Sequence, residues 1–324
     1  MWAILNILLT SSGRRNSLLE LFEQAALPYK AKVFISDIDG LAPTLYDTEH
    51  VVQLPHVKDP SYLASLLKVV QEKEISLIVP TIDPELCILA KGRKQLASAG
   101  AFALVSSERF CMNSADKWLT HQMCKANDLA SPASWISEHL RCEELPEQLF
   151  IKPRFGSASI DSFAVHCYDL GQALLKVENP IVQEQLIGDE ITIDAFFDFD
   201  SQPIHYVPRK RLRTLAGESI QGVTLDDAPF NAWLLKCMNV FSEHGAVGPV
   251  TFQAFLTERG PVLTDINPRF GGGYPLAYAA GGHYPDWLMM LLHGKHVRSH
   301  LGHYKRGLHM VRTFREIFTQ EPLW

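Results

Sequence analysis

The chain lacks the features that would assign it to several large classes of protein. No run of about 18 apolar residues occurs along its 324 positions, so no membrane-spanning helix is expected. It has no surplus of basic residues: 30 Lys and Arg against 36 Asp and Glu leave a net charge of -6. A surface that binds a nucleic-acid backbone needs the opposite balance, so nucleic acid is not an expected partner. The six cysteines (Cys87, Cys111, Cys124, Cys142, Cys167 and Cys237) include no CxxC pair, which argues against a zinc ribbon or a disulfide framework and for reduced thiols in the cytoplasm. Internal repeats and low-complexity linkers are also missing. The opening MWAILNILLTSSGRR has no basic lead and only a short apolar stretch, so it reads as a first strand rather than a secretion leader.

What is present describes a folded protein of ordinary composition, 47% hydrophobic and 20% charged, and too long for one hydrophobic core. From Ala3 to Leu9 an apolar run predicts a buried strand. Thr10 to Gly13 break it, and Leu18, Leu19, Leu21 and Phe22 form a helix face. Strand signals recur at Lys32–Ile35, at Ser76–Val79 after a helical Tyr62–Lys73, and at Phe102–Val105 after a helical Cys87–Ala97. Such alternation predicts a parallel sheet covered by helices. A second region begins near Cys111, with a helix over Ser114–Ala126 and a strand at Leu149–Lys152. From Ile181 strands dominate, at Ile181–Gln185, Ile191–Phe199, Ile204–Val207, Val250–Leu256 and Val262–Ile266, with a helix over Ala232–His244 between them.

The densest chemistry lies in VTFQAFLTERGPVLTDINPRFGGG. Two alternating apolar runs flank Glu258-Arg259-Gly260 and should pair as a hairpin. Pairing symmetric about Arg259 sets Gln253 opposite Asp265, with side chains about 5 Å apart, and puts Asn267 on the same face. One carboxylate between two amides suits Mg²⁺ on a nucleotide, because magnesium takes one or two protein carboxylates and leaves phosphate oxygens to complete the charge. A solvated polar sheet face is the other reading the hairpin alone allows. Arg269 follows the last donor and can neutralise a phosphoryl group or an acyl phosphate, while Gly271-Gly272-Gly273 lets backbone amides approach an anion.

The segment TDINPRFGGGYPLAYAAGG resembles the metal-binding end of ATP-grasp proteins, specifically those similar to the carbamoyl-phosphate synthase large chain. The resemblance implies a mixed α/β and α+β fold. In it a Rossmann-like parallel-sheet domain (1–110, the preATP-grasp domain) precedes a small ATP-grasp subdomain (111–180) and a large subdomain with the metal site (181–324). It further implies ATP and Mg²⁺ as cofactors, with Mn²⁺ as a substitute, and metal ligands Gln253, Asp265 and Asn267. Phosphate ligands would be Lys117 (in NSADKWLTHQ) and Lys152 (in FIKPRFGSAS), with Ser157 and Ser159 in the covering loop. That loop, FGSASID, departs from the family pattern in holding a single glycine, and its Asp161 would repel phosphate if it faced inward. In IVQEQLIGDE the resemblance sets Glu184, Gln185 and Leu186 along the adenine and Glu190 on the ribose hydroxyls. Arg209 and Arg213, which share a face with Arg211 in one alternating strand, would hold the phosphates and the substrate carboxylate, and Arg269 the developing anion.

The implied activity is an ADP-forming ligase that makes an acyl phosphate from a small-molecule carboxylate and joins it to an amine. With one ATP-grasp unit and no glutaminase segment, carbamoyl phosphate synthesis itself is not predicted. A non-catalytic or regulatory ATP-binding module is the alternative, and a homodimer is left open. A dinucleotide dehydrogenase is disfavoured because SSGRRN is not GxGxxG, although Asp37 ends the second strand where an acidic ribose ligand would sit. Asp83 and Glu85 of PTIDPEL would extend the substrate pocket or serve as charges at a helix start. The histidines between His293 and His309 are too irregularly spaced for a metal site and are expected in solvent.

Overall fold

Nearly continuous apolar runs form buried parallel strands. In the computed structural model, which describes residues 6–137, 140, 145–156, 161–215 and 218–324, β1 (Asn6–Thr10) is buried along its whole length. It pairs in parallel with β2 (Val33–Ile35) and β3 (Ile75–Pro80), and β4 (Phe102–Ala103) completes the order β2-β1-β3-β4. Successive residues of β1 serve opposite faces. Ile7 and Leu9 join a core with Leu18, Leu19 and Phe22 of α1 (Asn16–Ala26), while Leu8 joins Leu66 of α2 (Tyr62–Glu72) and Leu86 and Leu89 of α3 (Asp83–Ser98). Helix α3 begins four residues before Cys87, the predicted start. Pro84 and the acidic Asp83 and Glu85 in its first turn suit a helix start.

The single helix predicted over 114–126 is two, α4 (Glu108–Ala115) and α5 (Lys117–Ala126). Asp116 between them is extended, and its carboxylate accepts the Trp118 amide at 2.9 Å, ending one helix and capping the next. The small subdomain is built on an antiparallel sheet of order β5-β8-β6-β7, from β5 (Ser134–Trp135), β6 (Gln148–Pro153), β7 (Phe163–His166) and β8 (Pro180–Glu184). Because β8 pairs with β6 from Leu149↔Glu184 to Pro153↔Pro180, a boundary at 180/181 would cut a strand from its sheet; the change of sheet falls after Glu184.

The largest sheet is antiparallel, in the order β13-β12-β9-β10-β11-β14. Its strands are β9 (Asp189–Phe197), β10 (Pro203–Leu215), β11 (Glu218–Thr224), β12 (Gly248–Thr257), β13 (Gly260–Asn267) and β14 (His309–Val311). The sequence reading missed β11 and β14, and it gave Ile204–Val207 and the alternating run through Arg209, Arg211 and Arg213 separately where the structure has one strand, β10. On one face Ile191, Ile193, Ala195, Phe252 and Ala254 pack with Leu234, Cys237, Met238 and Phe241 of α6 (Asn231–Glu243). That core is continuous with the α1 side of the parallel sheet, where Phe22 meets Phe270 edge-on at 5.6 Å. Among the described residues no helix is long and apolar enough to cross a membrane.

Candidate active site

The other face of the large sheet follows from the period of two. Glu190, Thr192 and Asp194 of β9, Arg209 and Arg211 of β10, and Thr251 and Gln253 of β12 stand on it. Most of them line a cavity of about 1000 Å³ closed by the four-stranded sheet and by the first domain's loops at Arg14–Arg15 and Thr81–Pro84.

At one edge the hairpin brings Gln253 opposite Asp265 and Thr251 opposite Asn267. The reason differs from the symmetric turn expected. The strands pair Thr257↔Gly260, which leaves Glu258 and Arg259 as a two-residue loop, with Gly260 at φ +102°. That register would put Gln253 opposite Thr264. Instead the register shifts between Gln253 and Ala254, so that Thr264 is an extra, bulged residue and Asp265 falls opposite Gln253. Gln253 Nε2 donates to Glu190 Oε1 at 2.6 Å, and Arg211 donates to the same oxygen at 2.6 Å. Lys152 Nζ, buried at the end of β6, donates to both Asp265 oxygens at 2.9 and 3.2 Å.

Lys117 reaches the same space from the first turn of α5, where Nζ donates to the Gly156 carbonyl at 2.7 Å. Arg154 holds this junction by donating twice to Asp116, each at 2.7 Å. Burial lowers the Lys117 ammonium from its usual range, and Asp265 opposes that shift. Ser157 and Ser159 lie outside the described residues; Asp161, just beyond them, is exposed. Glu184, Gln185 and Leu186 line the cavity, but the Glu184 and Gln185 amides donate to Ala133 and Gln148 carbonyls. These two amides are therefore not free to read a base. Leu186, one residue further, has no backbone partner among the described residues. The Glu184 carboxylate accepts from the Ala133 amide and pairs with Arg259, so it belongs to the scaffold.

Arg209 is buried and pairs with Asp194 at 2.7 Å, and Asp194 also accepts from Thr251 at 3.0 Å. Arg213 lies apart from it. The ladder between β10 and β11 shifts on either side of Arg213, and this side chain is exposed and off the cavity, while Arg211 lines it. The three glycines have a packing role that was not anticipated. A Cβ on Gly273 would stand 2.5 Å from Arg209 Cζ, and one on Gly271 would stand 2.8 Å from Thr251 Oγ1 and 2.9 Å from Asp194 Oδ1. Arg269 pairs with Asp83 at 2.9 Å, a contact between the large subdomain and the first domain. Glu85 instead points away from this cavity. It is buried and accepts from Thr10, Ser11 and Tyr62, and burial raises its carboxyl. Of the histidines near the carboxyl terminus, His293 donates to or stacks on its own surroundings at Met289 and Tyr29, His300 stacks on Trp287, and His309 is exposed.

Reading from sequence missed Arg15, Arg211, Thr192 and Asp194. Arg211 shared the predicted face with Arg209, and Arg15 was seen only as a residue that spoils a glycine motif. Six buried side-chain atoms lack a partner among the described residues, and three of them, Thr192 Oγ1, Arg209 Nη1 and Arg269 Nε, belong to cavity-lining residues. Unmet buried donors are costly, so their concentration here fits a polar ligand.

Known proteins bear on this geometry. Residues 7–104 match a family model described as the PylC-like, N-terminal domain, and residues 176–314 match one described as ATP-grasp in the biosynthetic pathway with Ter operon. No curated protein sequence matches. Among solved structures, the chain is similar to the biotin carboxylase domain dimer of Hydrogenobacter thermophilus 2-oxoglutarate carboxylase, in complex with MgADP, ADP and bicarbonate. That match has a TM-score of 0.76 at 11% identity and covers 94% of this chain and 73% of that one. N5-carboxyaminoimidazole synthetase from Staphylococcus aureus, complexed with ADP, matches at 0.71 and 15% identity over 91% and 79%. L-amino acid ligase from Bacillus licheniformis matches at 0.70 and 18% identity over 89% and 74%. The chain carries an ATP-grasp domain behind a PylC-like amino-terminal domain.

Proposed function

We propose that this ATP-grasp chain is an ADP-forming ligase, which uses ATP and Mg²⁺ to convert a small-molecule carboxylate into an acyl phosphate and then passes the acyl group to an amine. The observation that carries the reading is the ion pair between Lys152 and Asp265 beside Gln253 and Asn267, in one cavity with Lys117 and Arg269. The donor set fits magnesium: one carboxylate, two amide oxygens and the neighbouring Glu190 offer hard oxygens without an excess of charge. Bound there, the ion would neutralise charge on the phosphates. Lys152 exchanges Asp265 for a phosphate oxygen, and Lys117 supplies a second ammonium from the facing subdomain.

Neither His nor Cys lines the cavity among the described residues, which favours the substrate's own carboxylate as the nucleophile. Its oxygen attacks the γ-phosphorus, the bond to the ADP oxygen breaks, and ADP departs. The amine then attacks the acyl carbon, phosphate leaves, and the amine loses its proton. Arg269 is placed to hold the anionic acyl phosphate through its guanidinium. The neighbouring solved structures support this chemistry by the ligands and activities in their descriptions, ADP, bicarbonate and amino-acid ligation.

The test is a panel of amino acids and other carboxylates paired with amines, with ADP and phosphate as the readout. Turnover that depends on one acid and one amine is expected, and Asp265→Ala should lower it about 100-fold or more, the scale of losing a key electrostatic group. AMP and pyrophosphate as products would exclude the acyl-phosphate route. Tight ATP binding with no turnover on any pair would instead establish a non-catalytic module.

A further inference from the structure

The ligase chemistry needs a group that receives the amine and takes its proton, and the cavity narrows the choice. Among the described residues no His, Cys or Tyr lines it, and the anionic side chains that do are Asp83, Glu184, Glu190, Glu218 and Asp265. Four of these are engaged elsewhere. Asp265 gives both oxygens to Lys152, and Glu184 holds the Ala133 amide and Arg259. Glu190 takes Gln253 and Arg211 on one oxygen beside the proposed metal donors, and Glu218 takes Arg312 on one oxygen at 3.0 Å and Arg14 on the other at 3.5 Å. Asp83 differs. Its Oδ2 accepts from Arg269 Nη2 at 2.9 Å, and its Oδ1 accepts no hydrogen bond among the described residues. Both side chains line the cavity and keep part of their surface open, 13% for Arg269 and 21% for Asp83. The charge of Asp83 also reaches Lys117 on the facing subdomain: burial is the main cause that lowers Lys117, and Asp265 and Asp83 are among the carboxylates that oppose it.

Resting on the ligase reading, we propose that Asp83 is the docking group and first proton acceptor for the amine substrate, which arrives as an ammonium ion. At rest Arg269 and Asp83 neutralise each other. Once the acyl phosphate forms, Arg269 turns to that anion, and Asp83 is released to the ammonium beside it. One proton passes from the nitrogen to the Asp83 carboxylate, and the freed lone pair attacks the acyl carbon. The bond from that carbon to the phosphate oxygen breaks, and phosphate leaves with the second nitrogen proton. Asp83 then returns its proton to water. The PylC-like domain thereby receives the nucleophile, since Asp83 lies just past β3 within it and faces Arg269 across the junction with the large subdomain.

The experiment offers two nucleophiles to the acid that elicits ADP: the amine that couples to it, an ammonium ion at neutral pH, and hydroxylamine, which is uncharged there and captures acyl phosphates as hydroxamates. Asp83→Asn should lower amide formation about 100-fold or more, the scale of losing a general base, while hydroxamate formation stays within about threefold. The gap in amide formation should narrow as pH rises towards about 9 and free amine becomes available, and Asp83→Glu should retain part of the wild-type rate. Hydroxamate formed by the variants also shows that they fold and keep Arg269 in place. Equal losses with both nucleophiles would make Asp83 an anchor for Arg269, and unchanged amide formation would remove it from the reaction. Either result overturns the inference, while hydroxamate formation by the wild type upholds the ligase. If the wild type yields neither amide nor hydroxamate from any acid, the ligase reading falls and the role of Asp83 falls with it.

Discussion

At the scale of single residues, Lys152 and Asp265 are each other's partner at rest, and each is assigned to a different component of Mg-ATP. This gives opposite expectations for their removal. Lys152→Ala frees Asp265, so Mn²⁺ binding without nucleotide, followed by its electron paramagnetic signal, should hold or tighten while ATP affinity falls about tenfold, the scale of one charged hydrogen bond. Asp265→Asn should abolish Mn²⁺ binding. Weaker Mn²⁺ binding in Lys152→Ala would mean that the pair is a scaffold rather than a poised site. Far from the cavity, Asp227 shows how a buried charge supports the fold. Burial works against its carboxylate, but hydrogen bonds from Tyr206, Asn231, Tyr304 and Arg306 outweigh that and bring it to about 2. Because this is below the ordinary 3.8, its stabilisation is complete above about pH 4 and vanishes as pH falls towards 2. The urea midpoint of wild type over Asp227→Asn should therefore shrink across that window by about 2 kcal/mol of pH-dependent difference; a constant gap would contradict it. Motif residues such as Lys152 and Asp265 were legible in the sequence because spacing along a strand sets their face. Arg15 was not, since its partners Phe270 and Arg269 lie more than 250 positions away and no local pattern encodes that meeting.

At the scale of elements, the pairing of Gln253 with Asp265, the proposed metal edge, depends on one bulged residue. The sequence pattern predicted Gln253 opposite Asp265 from a turn centred on Arg259. The chain reaches the same pairing with a shorter loop and Thr264 as the extra residue. Alternation reveals which residues share a face but not where a strand takes up an extra position, so the partnership was readable and its cause was not. Strands β11 and β14 went unseen for a related reason: β11 mixes buried and half-buried positions without a clean apolar alternation, and β14, at the sheet edge, is three residues long and mostly exposed. Deleting Thr264 supplies the test. It leaves Asp265 opposite Gln253 in an unbroken ladder, so nucleotide-dependent Mn²⁺ binding should be retained. Thr264→Ala keeps the bulge, gives up only a 3.2 Å bond to the Gln253 carbonyl, and should retain that binding too. Loss of binding on deletion alone would show that the bulge itself, and not the pairing it gives, positions the proposed metal donors.

At the scale of the whole molecule, the sequence divided the chain into three regions, yet the packing joins the first to the last. One core cluster runs from Ile7, Leu9 and Phe22 of the first domain to Ile193, Phe252 and Phe270 of the large subdomain, while the far side of the parallel sheet and the small subdomain each have a core of their own. Arg15 and Asp83 add polar contacts across the same junction, which places cavity-lining groups from both sides on a shared floor. Domains that share a core are expected to unfold together, whereas domains joined only through a polar interface melt apart. Calorimetry should thus record one main transition for the first domain and the large subdomain. Phe22→Ala opens a cavity at the seam, where the ring is fully buried against Phe270, and should cost about 3 to 5 kcal/mol. If the seam is continuous, that loss moves the entire transition to lower temperature. If the first domain alone melts earlier while the remainder keeps its midpoint, the two halves are energetically independent and the shared floor is only a contact surface.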